Sequence, residues 1–416
     1  MTPSPRNLLV RGVNWLGDAV MTTPALRRLR ERFPAAHITL LTLEKLQELW
    51  LHHPDLDEVI TFRAGQGVLS VAMKLRKPMV LAGLREGLRA YREVAGGLPR
   101  NDESLRMAAQ RVRRIGFDLA LVLPNSPRSA LEAWLARIPQ RVGYARPWRN
   151  RLLTQAVPPR PDRIEMRKRT PQEIRSLVAG AVVSPPTRNP RAHQLHDYLH
   201  LVGALGANPE VAPPLLHVTT AEIAAVCRRL DIIADPAAPP LIGLNAGAEY
   251  GPAKRWPVGS FAAAVKAVQQ QVPCRWLIFG GPRDLSLAGE LEARLRHPVS
   301  GIQLPSFTNV AGQTSLRELM ALLKLCDVVL TNDTGPMHLA AALGTPVVVP
   351  FGSTAPELTG PGLPGDARHR LLRSSAVCAP CFLRECPIDF RCLLGIAPEQ
   401  AAHAVLGCLG LRERRD

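Results

Sequence analysis

The apolar positions of this chain fall into short β-branched runs separated by longer amphipathic stretches, the alternation of strand and helix that builds a parallel sheet. The most complete unit is DVVLTNDTGPMHLAAALGTPVVVPF, residues 327–351. Val328 to Leu330 reads as a strand, Asn332-Asp333-Thr334-Gly335 breaks it, and Pro336 suits the first turn of a helix through Leu343. Gly344 and Pro346 stop that helix, and Val347 to Val349 forms the next buried strand. In such a unit the turn and the helix N-terminus lie at the carboxyl edge of the sheet. Unpaired backbone N–H groups and the helix dipole attract an anion there, a phosphate or pyrophosphate above all. The turn is neither a GxxxxGK[ST] loop nor a GxGxxG fingerprint.

The same pattern recurs along the chain. Asn7 to Arg11 is a strand, Gly12 to Gly17 a loop, Asp18 to Arg32 a helix with Val20, Ala25, Leu26 and Leu29 inward, and His37 to Leu43 a strand. Glu58 to Phe62 and Phe117 to Leu123 are further strands, and a helix resumes at Ser129. Residues from about 64 to 112 read as a helical insertion in which Val71, Leu75 and Leu84 interleave with Lys74, Lys77 and Arg85, a basic amphipathic pattern suited to a membrane surface or to a solvated face. After the Pro-rich stretch Asn208 to Pro214, strands are expected at Leu241 to Asn245 and Trp276 to Phe279, a helix at Thr314 to Leu325 and a terminal helix at Gln400 to Leu411.

A chain of 416 residues exceeds what one hydrophobic core serves, and two α/β domains follow: 1–207 with its insertion, and 215–400, with 401–416 as terminal helix and tail. The formal charge of +17 points to anionic partners, and residues 85–170 carry 19 Lys and Arg against 8 Asp and Glu. Aromatics are only 5%, and no nucleic-acid-reading motif accompanies the charge, so nucleic acid ranks low. No run approaches the roughly 18 apolar residues needed to span a bilayer, and MTPSPRNLLVRG has no signal-peptide core. A cytoplasmic protein with at most peripheral membrane contact is expected. Cys378, Cys381, Cys386 and Cys392 form C-x2-C-x4-C-x5-C, which reads either as reduced thiols or as a structural zinc or iron–sulfur site of non-standard spacing.

Candidate chemistry gathers at the strand ends. Asp18 stands at a helix start, where it can cap or act as a general base, and spacing alone favours the cap. His338 is in the first turn after the Asp333-Thr334-Gly335 turn, within reach of whatever that turn binds. Lys254 follows a run of small residues and offers charge to a phosphate; Asp284 follows Gly280-Gly281 and can hold ribose hydroxyls or cap a helix. Asn125, Ser126, Arg128, Arg141 and Arg146 are candidate contacts, from position and charge, for whatever the first domain binds. Asp55-Leu56-Asp57 imitates the DxD signature of some sugar transferases, but its setting is that of a solvated turn.

Outside the insertion, RGVNWLGDAVMTTPAL, FDLALVLPNSPRSA, RVGYAR, NAGAEYGPAKRWP, TNDTGPMHLAAALGTPVVVPFGST and CAPCFLRECP together resemble the heptosyltransferases of bacterial lipopolysaccharide synthesis, glycosyltransferase family nine, and the type II branch most closely. The resemblance implies a GT-B fold, two Rossmann-like doubly wound domains facing across a cleft, with acceptor on the first and sugar nucleotide on the second. It implies an inverting transfer from ADP-heptose to the heptosylated inner core of lipopolysaccharide, at the inner face of the inner membrane, without cofactor or required metal. By matching positions, Asp18 becomes the catalytic base and Lys254 a donor-phosphate contact, while Asp333, Thr334, Gly335 and His338 line the donor pocket; Asp284 falls near the ribose and Thr314 near the adenine. The long insertion departs from the family pattern. The competing readings are another GT-B transferase or nucleotide-sugar epimerase with a different donor, and a non-catalytic basic module for nucleic acid or membrane.

Overall fold

The structure is a computed structural model that describes residues 4–76, 116–180, 190–235, 237–296 and 306–410. Among these residues lie two six-stranded sheets, every described pairing in them parallel. The first sheet runs in the order β3-β2-β1-β4-β5-β6, from β1 (Asn7–Arg11), β2 (His37–Leu43), β3 (Glu58–Phe62), β4 (Leu119–Val122), β5 (Gln140–Tyr144) and β6 (Gln155–Val157). The second runs β12-β11-β10-β7-β8-β9, from β7 (Leu241–Asn245), β8 (Arg275–Ile278), β9 (Ser306–Asn309), β10 (Val328–Thr331), β11 (Val347–Pro350) and β12 (Arg370–Leu372). Renumbered from its own first strand, the second sheet repeats the order of the first. Both are the doubly wound Rossmann arrangement, in which strand order reverses between the first and fourth strands and ligands gather outside the carboxyl ends at that reversal. The fold expected from the strand–helix alternation is the one observed.

The chain divides into two compact units, and their boundaries differ from those read in the sequence. The first comprises residues 1–14, 25–160 and 198–209; the second takes 15–24, 161–197 and 210–416. Residues 15–24 and 161–197, expected in the N-terminal domain, therefore cluster with the second sheet. The reason is packing that no local pattern announces. Ile174 is buried against Cys378 and Cys381, and Ala192 against Ala355, Leu358 and Phe382. Arg169 donates to the carbonyls of Cys378 and Val377. The terminal helix Pro398–Leu409 is no appendage either: Ala401, Val405 and Cys408 join the core formed by Phe261, Val265 and Trp276.

Local chemistry sets the element ends. The helix expected from Asp18 to Arg32 is two helices, Leu16–Met21 and Thr23–Arg32. At the joint the hydroxyls of Thr22 and Thr23 bond back to the carbonyls of Ala19 and Val20, and Pro24 supplies no N–H to continue the ladder. The helix expected from Thr314 begins at Leu316, because Ser315 caps it reciprocally with Glu318. The helix Val68–Arg76 lies at the start of the expected insertion; the remainder of that insertion from residue 77 onward lies outside the described residues. Among the described residues no helix is long and apolar enough to cross a membrane.

Candidate active site

The second sheet's reversal point lies between β7 and β10, and two buried asparagines tie the chain ends there. Asn332 donates to the Ala246 carbonyl at 2.8 Å and accepts from the Trp256 N–H at 2.9 Å. Asn245 donates to the Thr331 hydroxyl at 3.0 Å. These bonds fix the turn that carries Asp333 and Thr334 to the loop that carries Lys254. In the sequence Asn245 and Asn332 are marked only by their places at strand ends. An Asn closing a β-branched run at a carboxyl edge was the available signal, but by itself it also describes an ordinary turn.

Asp18 reaches the same place on the short helix Leu16–Met21, which packs on the helix Gly335–Ala342. Two glycines permit the approach. A Cβ on Gly17 would stand 2.5 Å from the His338 ring, and one on Gly335 would stand 2.6 Å from the Leu16 side chain. Trp15 is the N-cap residue of the short helix and Asp18 its third residue, so the capping role weighed for Asp18 is not the one it has.

Within this arrangement Lys254 Nζ lies 2.6 Å from Asp333 Oδ2, and the Thr354 hydroxyl donates to the same oxygen at 2.5 Å. The Asp333 carboxylate, expected to line the donor pocket, thus holds the lysine and a threonine. Asp18 is pushed up to about 6, first by loss of solvent and further by the Asp333 charge, against the opposing pull of Lys254 and a hydrogen bond from the Gln194 amide. Gln194 is itself placed by its neighbour: His193 Nε2 meets the Gly360 carbonyl at 3.0 Å, and the Gln194 N–H donates to the Leu358 carbonyl at 2.9 Å. Burial drives His338 down to about 4, so its ring is neutral near pH 7.

Asp18, Gln194, Lys254, Asp333, Thr354 and His338 line a cavity of about 370 Å³, within the range of small-molecule sites. Asp18, Lys254, Asp333, Thr334, Gly335 and His338 all face it, which unites six of the residues singled out from sequence. Tyr250, Lys168, Gln194 and Arg384 also line it and were not singled out. The Tyr250 hydroxyl donates to the Phe382 carbonyl at 2.7 Å, fixing a ring over which Lys254 Nζ stands at 5.0 Å. A carboxylate with a raised affinity for protons beside an ammonium and a helix N-terminus can take a proton from one group while stabilising negative charge on another.

The remaining expected site residues lie elsewhere. Asp284 and Thr314 do not line this cavity; they follow β8 and β9, further along the carboxyl edge of the same sheet, where Asp284 accepts the Gly281 N–H at 3.1 Å. In the first unit, Asn125 and Ser126 follow β4 and Arg146 follows β5, at one carboxyl edge, and the Ser126 hydroxyl caps the helix Pro127–Leu135. Arg128 pairs with Glu132 at 3.3 Å. Arg141 corrects the expectation: it stands near the amino end of β5, the opposite edge, and donates to the Leu152 carbonyl at 2.7 Å and to that of Ile138, so its guanidinium ties a loop. Asp57 of the DxD look-alike accepts the Ile38 N–H at 2.7 Å and pairs with Arg30 at 2.5 Å, as a structural turn does. Cys378, Cys381, Cys386 and Cys392 are free thiols, and among the described residues no three metal-ligating side chains are grouped to hold an ion.

Comparison with known proteins adds to this geometry. The sequence profile of glycosyltransferase family 9 (heptosyltransferase) matches residues 105–390. The chain is 29% identical over 358 residues to lipopolysaccharide heptosyltransferase 2 of Salmonella typhimurium, and 27% identical over 354 residues to the protein of that name from Escherichia coli K12, covering 85% of each chain in both cases. Among solved structures, E. coli ADP-heptose lps heptosyltransferase II superposes with a TM-score of 0.67 at 24% identity, covering 98% of this chain and 99% of that one. A glycosyl transferase family 9 protein from Veillonella parvula superposes at 0.68 and 22% identity, covering 97% of both chains. These superpositions establish a shared fold.

Proposed function

The chain belongs to glycosyltransferase family 9, and from that premise we propose that it transfers a heptose from ADP-heptose to the heptosylated inner core of lipopolysaccharide, inverting the anomeric carbon, with Asp18 as general base. The observation that carries this reading is the convergence of Asp18, Lys254 and Asp333 on one cavity at the sheet reversal. The names of the full-length relatives, lipopolysaccharide heptosyltransferase 2, support the donor and acceptor class.

In the proposed step an acceptor hydroxyl oxygen attacks the anomeric carbon from the face opposite the diphosphate. Its proton passes to the Asp18 carboxylate as the bond from the anomeric carbon to the diphosphate oxygen breaks and ADP departs. A carboxylate near 6 is ionised at neutral pH yet more basic than an ordinary aspartate, the poise a base needs. Charge building on the leaving diphosphate meets Lys254 and the amides of Thr334 and Gly335, fixed groups aimed at the departing anion. A lysine and a helix N-terminus supply the counter-charge that a divalent ion supplies in other transferases, so no metal is required by the scheme. Neutral His338 can share a hydrogen bond with a sugar hydroxyl. The nucleoside would extend along the carboxyl edge toward Asp284 and Thr314.

Asn125, Ser126, Arg128 and Arg146 stay as proposed acceptor contacts of the first unit. A cytoplasmic location, with peripheral contact at the membrane face where a lipid-anchored acceptor is met, follows from the same substrate and the basic composition. The test is ADP release by purified protein given ADP-heptose and a heptosylated core acceptor, with Asp18→Ala alongside. Release that requires both substrates and Asp18 supports the reading; no release from the unaltered protein defeats it.

A further inference from the structure

We infer that Arg384, seated against the rings of Trp15 and Tyr250, recognises an anionic group, carboxylate or phosphate, on the acceptor, and so acts as a specificity determinant distinct from the lysine assigned to the donor phosphate. The inference rests on the transferase reading above and deepens it.

Arg384 is an exposed residue on the wall of the cavity that holds Asp18. Its guanidinium carbon stands 5.2 Å from the Tyr250 ring centre and 6.0 Å from that of Trp15. The Tyr250 ring already faces Lys254 Nζ at 5.0 Å, so two cations share one ring. Lys254 is neutralised by Asp333 at 2.6 Å, whereas among the described residues no carboxylate pairs with Arg384. A guanidinium resting on aromatic faces keeps its N–H donors in its own plane, and those not bonded to Tyr250 remain able to grip a planar or tetrahedral oxyanion.

The backbone beneath is fixed. The Arg384 carbonyl accepts the Ala253 N–H at 2.9 Å, and Tyr250 bonds to Phe382 at 2.7 Å, so the loop that carries the arginine is stitched to the loop that carries Lys254. A Cβ on Gly251 would stand 2.5 Å from that carbonyl, which keeps the two loops in register only while residue 251 is glycine.

Position assigns the anion to the acceptor. The nucleoside end of the donor is expected toward β8 and β9, whereas Arg384 leans on Trp15, the residue that starts the helix of Asp18. The acceptor hydroxyl must reach Asp18, so an acidic substituent on a neighbouring sugar of the acceptor comes under Trp15 and Arg384. Lys168 lines the same cavity and adds to the positive field.

The test uses deacylated inner-core oligosaccharide as acceptor, before and after phosphatase treatment and carboxyl reduction, with full-length protein, Arg384→Ala and Arg384→Lys. For the acidic acceptor, Arg384→Ala should raise KM by about 10- to 100-fold, the range for losing a charged hydrogen bond. It should leave kcat within about threefold and ADP affinity by calorimetry within about twofold; Arg384→Lys, which keeps charge but loses the planar fork, should fall between. With the neutralised acceptor, unaltered protein and variants should converge. Weakened ADP binding with an unchanged acceptor KM would move Arg384 to the donor site, and unchanged values for both would leave the aromatic stack a structural device; either result overturns the inference. If the unaltered protein releases no ADP, the transferase reading fails separately. Calorimetric binding of the acidic oligosaccharide to the unaltered protein and to Arg384→Lys then decides the inference: equal affinities overturn it.

Discussion

Lys254 and Asp333 meet at 2.6 Å, and the oxygen that binds the lysine also accepts the Thr354 hydroxyl. The ammonium is therefore held at the sheet reversal before any phosphate arrives, and a diphosphate would take over part of its charge rather than recruit it from solvent. Lys254→Ala removes the cation and leaves the buried Asp333 carboxylate without its ion-pair partner. ADP affinity and turnover should fall together, each by about 10- to 1000-fold, the span for removing a charge-stabilising donor. Calorimetry with ADP and steady-state kinetics check this, and unchanged values for both would refute the phosphate role.

Asp18 leads to a different pattern. Asp18→Ala should lower turnover by about 10²- to 10⁴-fold while ADP binding stays within a few-fold of the unaltered protein, because general base catalysis acts on the acceptor proton and not on the nucleotide. In the unaltered protein the base must be ionised, so kcat/KM should rise with pH and level off above about 6. Loss of that acid limb in the variant's residual activity identifies Asp18 as its source.

The same raised value makes a stability prediction. The unfolded chain releases the Asp18 proton near 3.8 and the folded protein near 6, so below 3.8 the group costs nothing, and between these values stability is lost as pH rises. Above 6 the cost is constant. Asp18→Asn, which does not titrate, should therefore be more stable than the unaltered protein by on the order of 1 to 3 kcal/mol at pH 7.5 and by little near pH 4. Denaturant melts at the two pH values measure it; an equal difference at both would contradict the burial argument.

Gly17 and His338 should behave as one unit. With 2.5 Å between the His338 ring and a Cβ at position 17, Gly17→Ala should cost about 1 to 3 kcal/mol and displace Asp18 with its helix. His338→Ala opens the space, so the double variant should recover much of that stability, a coupling visible in a double-mutant cycle. Strict additivity would show that the two helices adjust independently.

Chelation gives a further check. If Lys254, Thr334 and Gly335 carry the leaving-group charge, treatment with a chelator should leave transfer within about twofold. Activity that disappears and returns with magnesium would show that a metal shares that task.

Local sequence determined eight of the twelve described sheet strands, all but β5, β6, β9 and β12, and the chemistry at their ends. β1 and β2 begin and end where alternation and β-branching said they would, and Asp333, Thr334, Gly335 and His338 were legible together because one short turn and one helix carry them all. Family resemblance, and no local pattern, joins Asp18 and Lys254 to that turn. Tertiary structure alone decided that residues 15–24 and 161–197 cluster with the second sheet, since the contacts that hold them, Gly17 on His338 and Ile174 on Cys378, join positions far apart in the chain. It also decided that Gln194 bonds to Asp18, that Asp333 grips Lys254, and that Arg141 faces the other edge of its sheet. A strand or helix is written in the spacing of neighbouring residues, whereas a buried charge acquires its partner and its proton affinity only when distant segments close around it.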